Sequence, residues 1–221
     1  MDSSCPVRRA RHFNPLGGAA NKLMLEFTAM TLNLKISLSR WIIEDGNYDD
    51  FCVGERRKFA LEFWAPTPLK KSAENVMVLR EQSGHSYDVV GKLVFASDGV
   101  WVIDCGVLAY SEGKSEIEIG CKVGDFVQGH LRFGIDPFFY FEQHYKIPSI
   151  PPLIYEWQVH SIEQDTTPYI LSNEARMYIR DESRLSQQSV RGTAKDLIIP
   201  DQGPEFILHC SKLGKAPSHK L

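Results

Sequence analysis

The chain has 221 residues, 43% of them hydrophobic and 24% charged, with a formal net charge of -3. That length can bury a substantial core without staples, and the balance excludes global disorder. A weakly acidic chain also lacks the footprint of a protein that grips duplex nucleic acid through its phosphates.

Residues 1–30 carry Arg8, Arg9 and Arg11 without a clear period and read as a mobile arm, with Met24 and Met30 as alternative starts. Leu23-Met24-Leu25 is broken by Glu26, so no secretory signal is expected. No apolar run is long enough for a transmembrane helix. Cys5, Cys52, Cys105, Cys121 and Cys210 are scattered, with no C-x-x-C pair. They read as free thiols, and the expected setting is cytoplasmic and soluble.

From Leu34 onwards Leu34, Ile36 and Leu38 alternate with polar residues, the period of a half-buried strand. The apolar phase then moves to Trp41 and Ile43, which predicts a β-bulge near Ser39-Arg40, before Asp45-Gly46 turns the chain. Further strands are expected over 55–64, 75–80, 88–95, 100–109, 123–133, 138–142 and 153–162. Asp98-Gly99 between Leu93-Val94-Phe95 and Val100-Trp101-Val102 is a hairpin signal. Beyond 163 a short helix is expected over 173–181, a loop from Asp181 to Lys195, edge strands at Leu197–Ile199 and Phe206–Leu208, and a frayed end from Gly214.

The centre of the chain contains an internal match. Trp41-Ile42-Ile43-Glu44-Asp45-Gly46 resembles Trp101-Val102-Ile103-Asp104-Cys105-Gly106. Val53-Gly54-Glu55 resembles Val123-Gly124-Asp125, and each triplet is followed at one spacing by Leu-x-Phe: Leu61 and Phe63, then Leu131 and Phe133. A weaker pairing sets Tyr87-Asp88 against Tyr155-Glu156. These matches predict a unit of roughly 60–70 residues used twice. The expected fold is mainly β: two related antiparallel units of about four strands, forming adjacent small barrels or a fused sandwich. The expected organisation is an arm (1–30), a first unit (31–97), a second unit (98–162) and a C-terminal extension (163–221).

Within the units, Val123, Val127, Leu131 and Phe133 share one side, with Gln128, His130 and Arg132 on the other. Phe59, Leu61 and Phe63 oppose Arg56, Lys58 and Glu62, and Tyr155, Trp157 and Val159 oppose Glu156, Gln158 and His160. Each strand therefore has a core face and a wet face.

Chemical motifs are sparse. No phosphate-binding glycine loop and no G-x-S-x-G elbow is present. No H-E-x-x-H occurs either; the nearest ligand set is His130, Glu142 and His144, with Cys121 close in sequence, and a metal there needs three or four converging ligands. Glu44, Asp45, Asp49, Asp50, Asp104, Asp125 and Asp136 mostly adjoin glycine or proline, so turn formation is their plain explanation. Glu55 and Asp125 recur after Val-Gly, as a shared turn requires. Arg56-Arg57-Lys58 and Lys70-Lys71 read as solvated positions.

The run Phe138-Phe139-Tyr140-Phe141 follows Asp136-Pro137 and precedes a proline-rich stretch. On a strand its rings point to both sides, so either protein covers both or one side meets a partner. Three functions follow. The first is a non-catalytic binding protein using Phe138, Phe139, Tyr140 and Phe141 to engage a protein or small ligand. The second is a metal-dependent or acid–base enzyme built on His130, Glu142 and His144. The third is a single-strand nucleic-acid binder that stacks bases on the aromatic run. No cofactor motif is found.

Overall fold

The computed structural model describes residues 32–82, 85–113, 117–172, 177–193, 205–214 and 216–221. The first half runs β1 (Asn33–Ser39), α1 (Arg40–Glu44), β2 (Arg56–Phe59), β3 (Leu61–Trp64), β4 (Lys70–Lys71), β5 (Val78–Glu81), β6 (Ser86–Ser97), β7 (Val100–Asp104) and β8 (Leu108–Glu112). The second half runs β9 (Phe126–Ile135), α2 (Phe139–Glu142), β10 (Tyr155–Asp165), β11 (Tyr169–Ser172), β12 (Met177–Arg180), β13 (Gln187–Val190) and β14 (Glu205–Lys212). The fold is mainly β.

Five strands, β3, β8, β7, β6 and β9, close a barrel, because β6 and β3 both pair with β9. Every pairing in this ring is antiparallel except β3 with β8, where Glu62 stands against Tyr110. A second ring shares its wall: β2 pairs with β10, β10 with β14, β14 with β1, and β1 runs parallel to the end of β9 at Ser37–Gly134. It closes because β2 continues into β3 across the single residue Ala60.

The rings correspond in local detail. In the first Val-Gly-acid turn, Cys52 N–H donates to Glu55 Oε1 (2.8 Å), Gly54 N–H to Val159 O (2.9 Å), and Val159 N–H to Glu55 O (3.0 Å). In the second, Lys122 N–H donates to Asp125 Oδ2 (2.9 Å), Gly124 N–H to Leu93 O (2.7 Å), and Leu93 N–H to Asp125 O (2.8 Å). Both glycines have positive φ, +88° and +99°, which a side chain would strain. Just beyond Leu93 and Val159 the ladders slip by one residue, at Val94 and at His160. From there Phe95, Val102 and Tyr110 lie abreast in ring one as Ser161, His209 and Lys35 do in ring two.

Alternation explains the core. Val127, Leu131, Phe133 and Ile135 point inward from β9, and Leu34, Ile36 and Leu38 do so from β1. Both interiors merge into one cluster, with the Phe59 and Trp157 rings stacked 5.5 Å apart. A second cluster lies outside ring one, where Tyr140, Ile150, Leu153 and Ile154 cover Phe95, Val102 and Tyr110.

Several sequence expectations are corrected. The phase shift after Ser39 is a helical turn, α1, that buries Ile42 and Ile43, and not a bulge. Trp41 lies on that turn and is exposed, whereas Trp101 lies within β7 and donates to Gly113 O (2.7 Å). The tryptophan match therefore joins different elements. Residues 138–142 form a helical turn instead of a strand, and the 100–109 stretch breaks at the Cys105–Val107 turn. Val123 is exposed in its turn, off the core face of β9. Met177–Arg180 is a strand paired with β11, not helix. The expected loop at Asp181–Lys195 contains β13, paired with β10. Phe206–Leu208 sits within β14 between two neighbours, not at an edge, since β1 travels from the other end of the chain to flank it. Ser218 exchanges two backbone hydrogen bonds with Ile154, so the expected frayed end is pinned there. The Asp98-Gly99 hairpin forms as expected.

The strands of each ring are drawn from across 31–97 and 98–162, and ring two also takes β14 from the extension. The arm at 1–30 and the strand at Leu197–Ile199 lie outside the described residues. Cys105, Cys121 and Cys210 are free thiols. No described helix is long and apolar enough to cross a membrane.

Candidate functional site

The chemistry-bearing side chains gather where β9 ends. Asp136, 1% exposed, anchors its own N–H on Ala60 O (3.1 Å). Its Oδ1 accepts from the Tyr110 hydroxyl (2.6 Å) and from Tyr140 N–H (3.1 Å). Burial pushes this carboxyl above the usual range, while Tyr110, the Tyr140 amide and nearby His144 pull it back. Burial, reinforced by Asp136, likewise raises the Tyr110 and Tyr48 phenols.

By accepting from Tyr140 N–H, the Asp136 carboxylate secures the first turn of α2. Midway between them, Phe138 sits at φ +79°, a conformation costly for an aromatic side chain. Edge-on contacts with Tyr48 (4.8 Å) and Phe141 (5.2 Å) hold it there. The helical turn then distributes the four aromatics differently from a strand. Phe138 packs on the main core, Tyr140 is fully buried, Phe141 is half-buried, and Phe139 is 38% exposed.

Tyr140 ties three segments together. Its hydroxyl accepts from Leu153 N–H (3.2 Å) and donates to Pro151 O (2.9 Å). His219 Nδ1 is 2.6 Å from the same oxygen, which it reaches as a donor while the hydroxyl proton serves Pro151, and its ring stacks on Tyr140. This fixes the C-terminal segment beside α2 and leaves a hollow of about 680 Å³. Its walls include Phe141, Glu142, Tyr145, Lys146, His219 and Lys220, with Lys146 Nζ 5.4 Å from the Tyr145 ring centre.

The three expected metal ligands are placed as follows. His130 lies on the wet face of β9 and pairs with Asp88. His144, mostly buried, pairs with Glu112 and stands edge-on to the Tyr110 ring at 5.5 Å. Glu142 is exposed on the wall of the hollow. Among the described residues no group of three or more His, Cys, Asp or Glu side chains is arranged to hold a metal ion. Sequence reasoning missed the Asp136–Tyr110 bond and the part played by His219. Asp136-Pro137 ahead of four aromatics was the available signal, since an aspartate just before a run can accept from the backbone N–H groups of its first turn.

Comparison of the chain with protein-family models, with curated proteins and with solved structures returns no match. Fold and site together define a class only: an all-β protein of two wall-sharing rings with an aromatic, cation-edged hollow beside the first.

Proposed function

We propose that the protein is a non-catalytic binding protein and that the hollow beside α2 receives its ligand, a small molecule or peptide side chain combining an aromatic ring with negative charge. One observation carries this: Phe141 and Tyr145 supply ring surfaces, and the Lys146 and Lys220 side chains outnumber the single acidic side chain, Glu142. Aromatic side chains fixed by packing give contact area at small entropic cost. The probe is anilinonaphthalene sulfonate, a ring-bearing anion. Saturable fluorescence that weakens about fivefold or more in Phe141→Ala and Lys146→Gln, both still folded, supports the reading. Binding unchanged in both variants removes it.

A second reading, acid–base catalysis, draws on the raised Asp136 carboxyl bonded to Tyr110 beside the His144–Glu112 pair. It places two titratable systems of different environment within one cluster. Turnover of a model ester that disappears in folded His144→Asn would favour it, and absence of turnover would remove it. The nucleic-acid reading rests on exposed Phe139 and predicts salt-sensitive retention of oligothymidylate lost in Phe139→Ala.

The two rings are read as copies of one strand unit. The support is the shared Val-Gly-acid turn, the one-residue slip at the same place, and the matching rows beyond it. Protein or small-ligand partners and a cytosolic setting remain the expectation from sequence.

A further inference from the structure

One wall of the hollow beside α2 is made by residues 216–221, through His219, Lys220 and Leu221. This segment lies outside every strand of the rings. Strand β14 ends at Lys212, and Leu213 N–H donates to Glu156 O (2.9 Å). Gly214 is exposed, and a Cβ there would meet nothing within 4 Å, so the chain leaves the sheet into open space. It is held again at Ser218. There Ser218 N–H donates to Ile154 O (2.8 Å) and Ile154 N–H to Ser218 O (2.9 Å), as an isolated antiparallel bridge. His219 follows, stacked on Tyr140 with Nδ1 2.6 Å from its hydroxyl. None of Ala216, Pro217, Ser218, His219, Lys220 and Leu221 is buried.

The face that receives the segment is fixed independently of it. Tyr140 is fully buried and holds Leu153 and Pro151 as well as His219, and Ile154 is 3% exposed at the start of β10. The segment itself is held by one bridge and one side chain, and such exposed, sparsely bonded pieces open far more cheaply than core strands. We propose that 216–221 is a strap, latched by His219 on Tyr140, which opens and closes the hollow. The latch is chemically specific. Because the Tyr140 hydroxyl gives its own proton to Pro151 O, it accepts only a side chain that both stacks and donates, as His219 does. The charges supply a reason for a ligand to close it. Lys146 stands on the fixed side and Lys220 on the strap, and both line the same hollow. An anion between them relieves their repulsion and so favours the closed form. This last step rests on the hollow being the ligand site; the latch does not.

The test is amide hydrogen exchange of the full chain, followed by NMR at Ser218 and Ile154, the two donors of the bridge. Both amides should be protected, yet exchange at least about tenfold faster than those of β14. His219→Ala should speed both by about tenfold or more while β14 and the circular dichroism spectrum stay unchanged, and His219→Phe, which stacks without donating, should fall between. Exchange as slow as that of β14 and unaltered in His219→Ala overturns the proposal, because the segment is then a fixed part of the fold. Full exposure of Ser218 N–H in the parent protein overturns it too, because no closed form then exists. Anilinonaphthalene sulfonate should slow Ser218 exchange in the parent, and less so in Lys220→Gln. A dye that binds without slowing it overturns closure by the ligand. A dye that does not bind removes the ligand reading of the hollow instead, and the latch is still decided by His219→Ala.

Discussion

Ring one and ring two present the same row of positions to the outside and treat it in opposite ways. Phe95, Val102 and Tyr110 are sealed under the segment that carries α2, whereas Ser161, His209 and Lys35 are open. One strand framework thus supports a second hydrophobic layer in one place and a polar hollow in another. The difference lies wholly in side chains and in which connecting segment crosses the face, because the backbone ladders beneath agree in register. Surface chemistry can be changed on such a frame without touching its interior.

The comparison breaks most completely if ring two can stand without its borrowed strand. β1 supplies seven paired positions on β14 and buries Leu34, Ile36 and Leu38. In ring one the equivalent strand, β8, follows β7 directly through a short turn, while in ring two it comes from the far end of the chain. A chain beginning at Arg40 is expected to lose cooperative unfolding altogether. A synthetic peptide spanning residues 32–39 should restore it in trans by filling the slot between β14 and β9. Cooperative urea unfolding of the shortened chain alone would show that β1 is dispensable and the ring reading mistaken.

Reciprocal exchange of the middle row position gives the next largest effect. Val102→His places an imidazole in a sealed layer with no partner and should cost about 2–5 kcal/mol. His209→Val loses only a half-exposed ion pair, and its stability should change by less than about 1 kcal/mol. Urea unfolding of both reads the asymmetry directly. Equal costs would mean that the two faces are buried alike in solution.

A smaller effect tests the wall the rings share. β3 and β9 pair through Phe63–Phe133, with Glu62 opposite Gly134 and Trp64 opposite Arg132. The Trp64 ring lies on Gly134, where a Cβ would overlap its Cζ3 and Cη2 atoms. Gly134→Ala should therefore cost about 1–3 kcal/mol, as overpacking does. Most of that cost should vanish in the background of Trp64→Ala, a coupling that a double-mutant cycle measures. Additive costs would show that the ring does not lie there.

How much of this was legible in the sequence follows from which interactions are local. Alternation along β9, β10 and β1 could be read directly, because a strand's period is set by its own backbone. Val-Gly-acid could be read because the turn is closed within four residues, by Glu55 on Cys52 and by Asp125 on Lys122. The Trp41–Trp101 likeness misled because short apolar segments fit a helical turn as well as a strand, and only tertiary packing of Ile42 and Ile43 decided for the turn. The pairing of β1 with β14 spans nearly the whole chain and leaves no local trace. The same holds for the site. The aromatic run was visible, but its conformation depends on buried Asp136, whose partner Tyr110 belongs to another strand.

The smallest effects concern two acids in opposite environments, one beneath the seal of ring one and one on an open turn. Burial holds the Asp136 carboxyl above its unfolded value, so its ionised form is favoured less in the folded chain than in the unfolded one. Its contribution to stability therefore declines as pH rises through the carboxylate range towards neutrality. Asp125 is held below its usual range, chiefly by its hydrogen bond with Lys71, so its contribution is present above the unfolded value and fades as pH falls through the folded one. Relative to the parent protein, Asp136→Asn should accordingly gain stability between acid and neutral pH, and Asp125→Asn should lose it. Thermal unfolding of the three proteins across that range decides the matter. Parallel pH profiles would mean that the end of β9 is as wet as the turn that begins it, and the sealed layer would then not distinguish the rings.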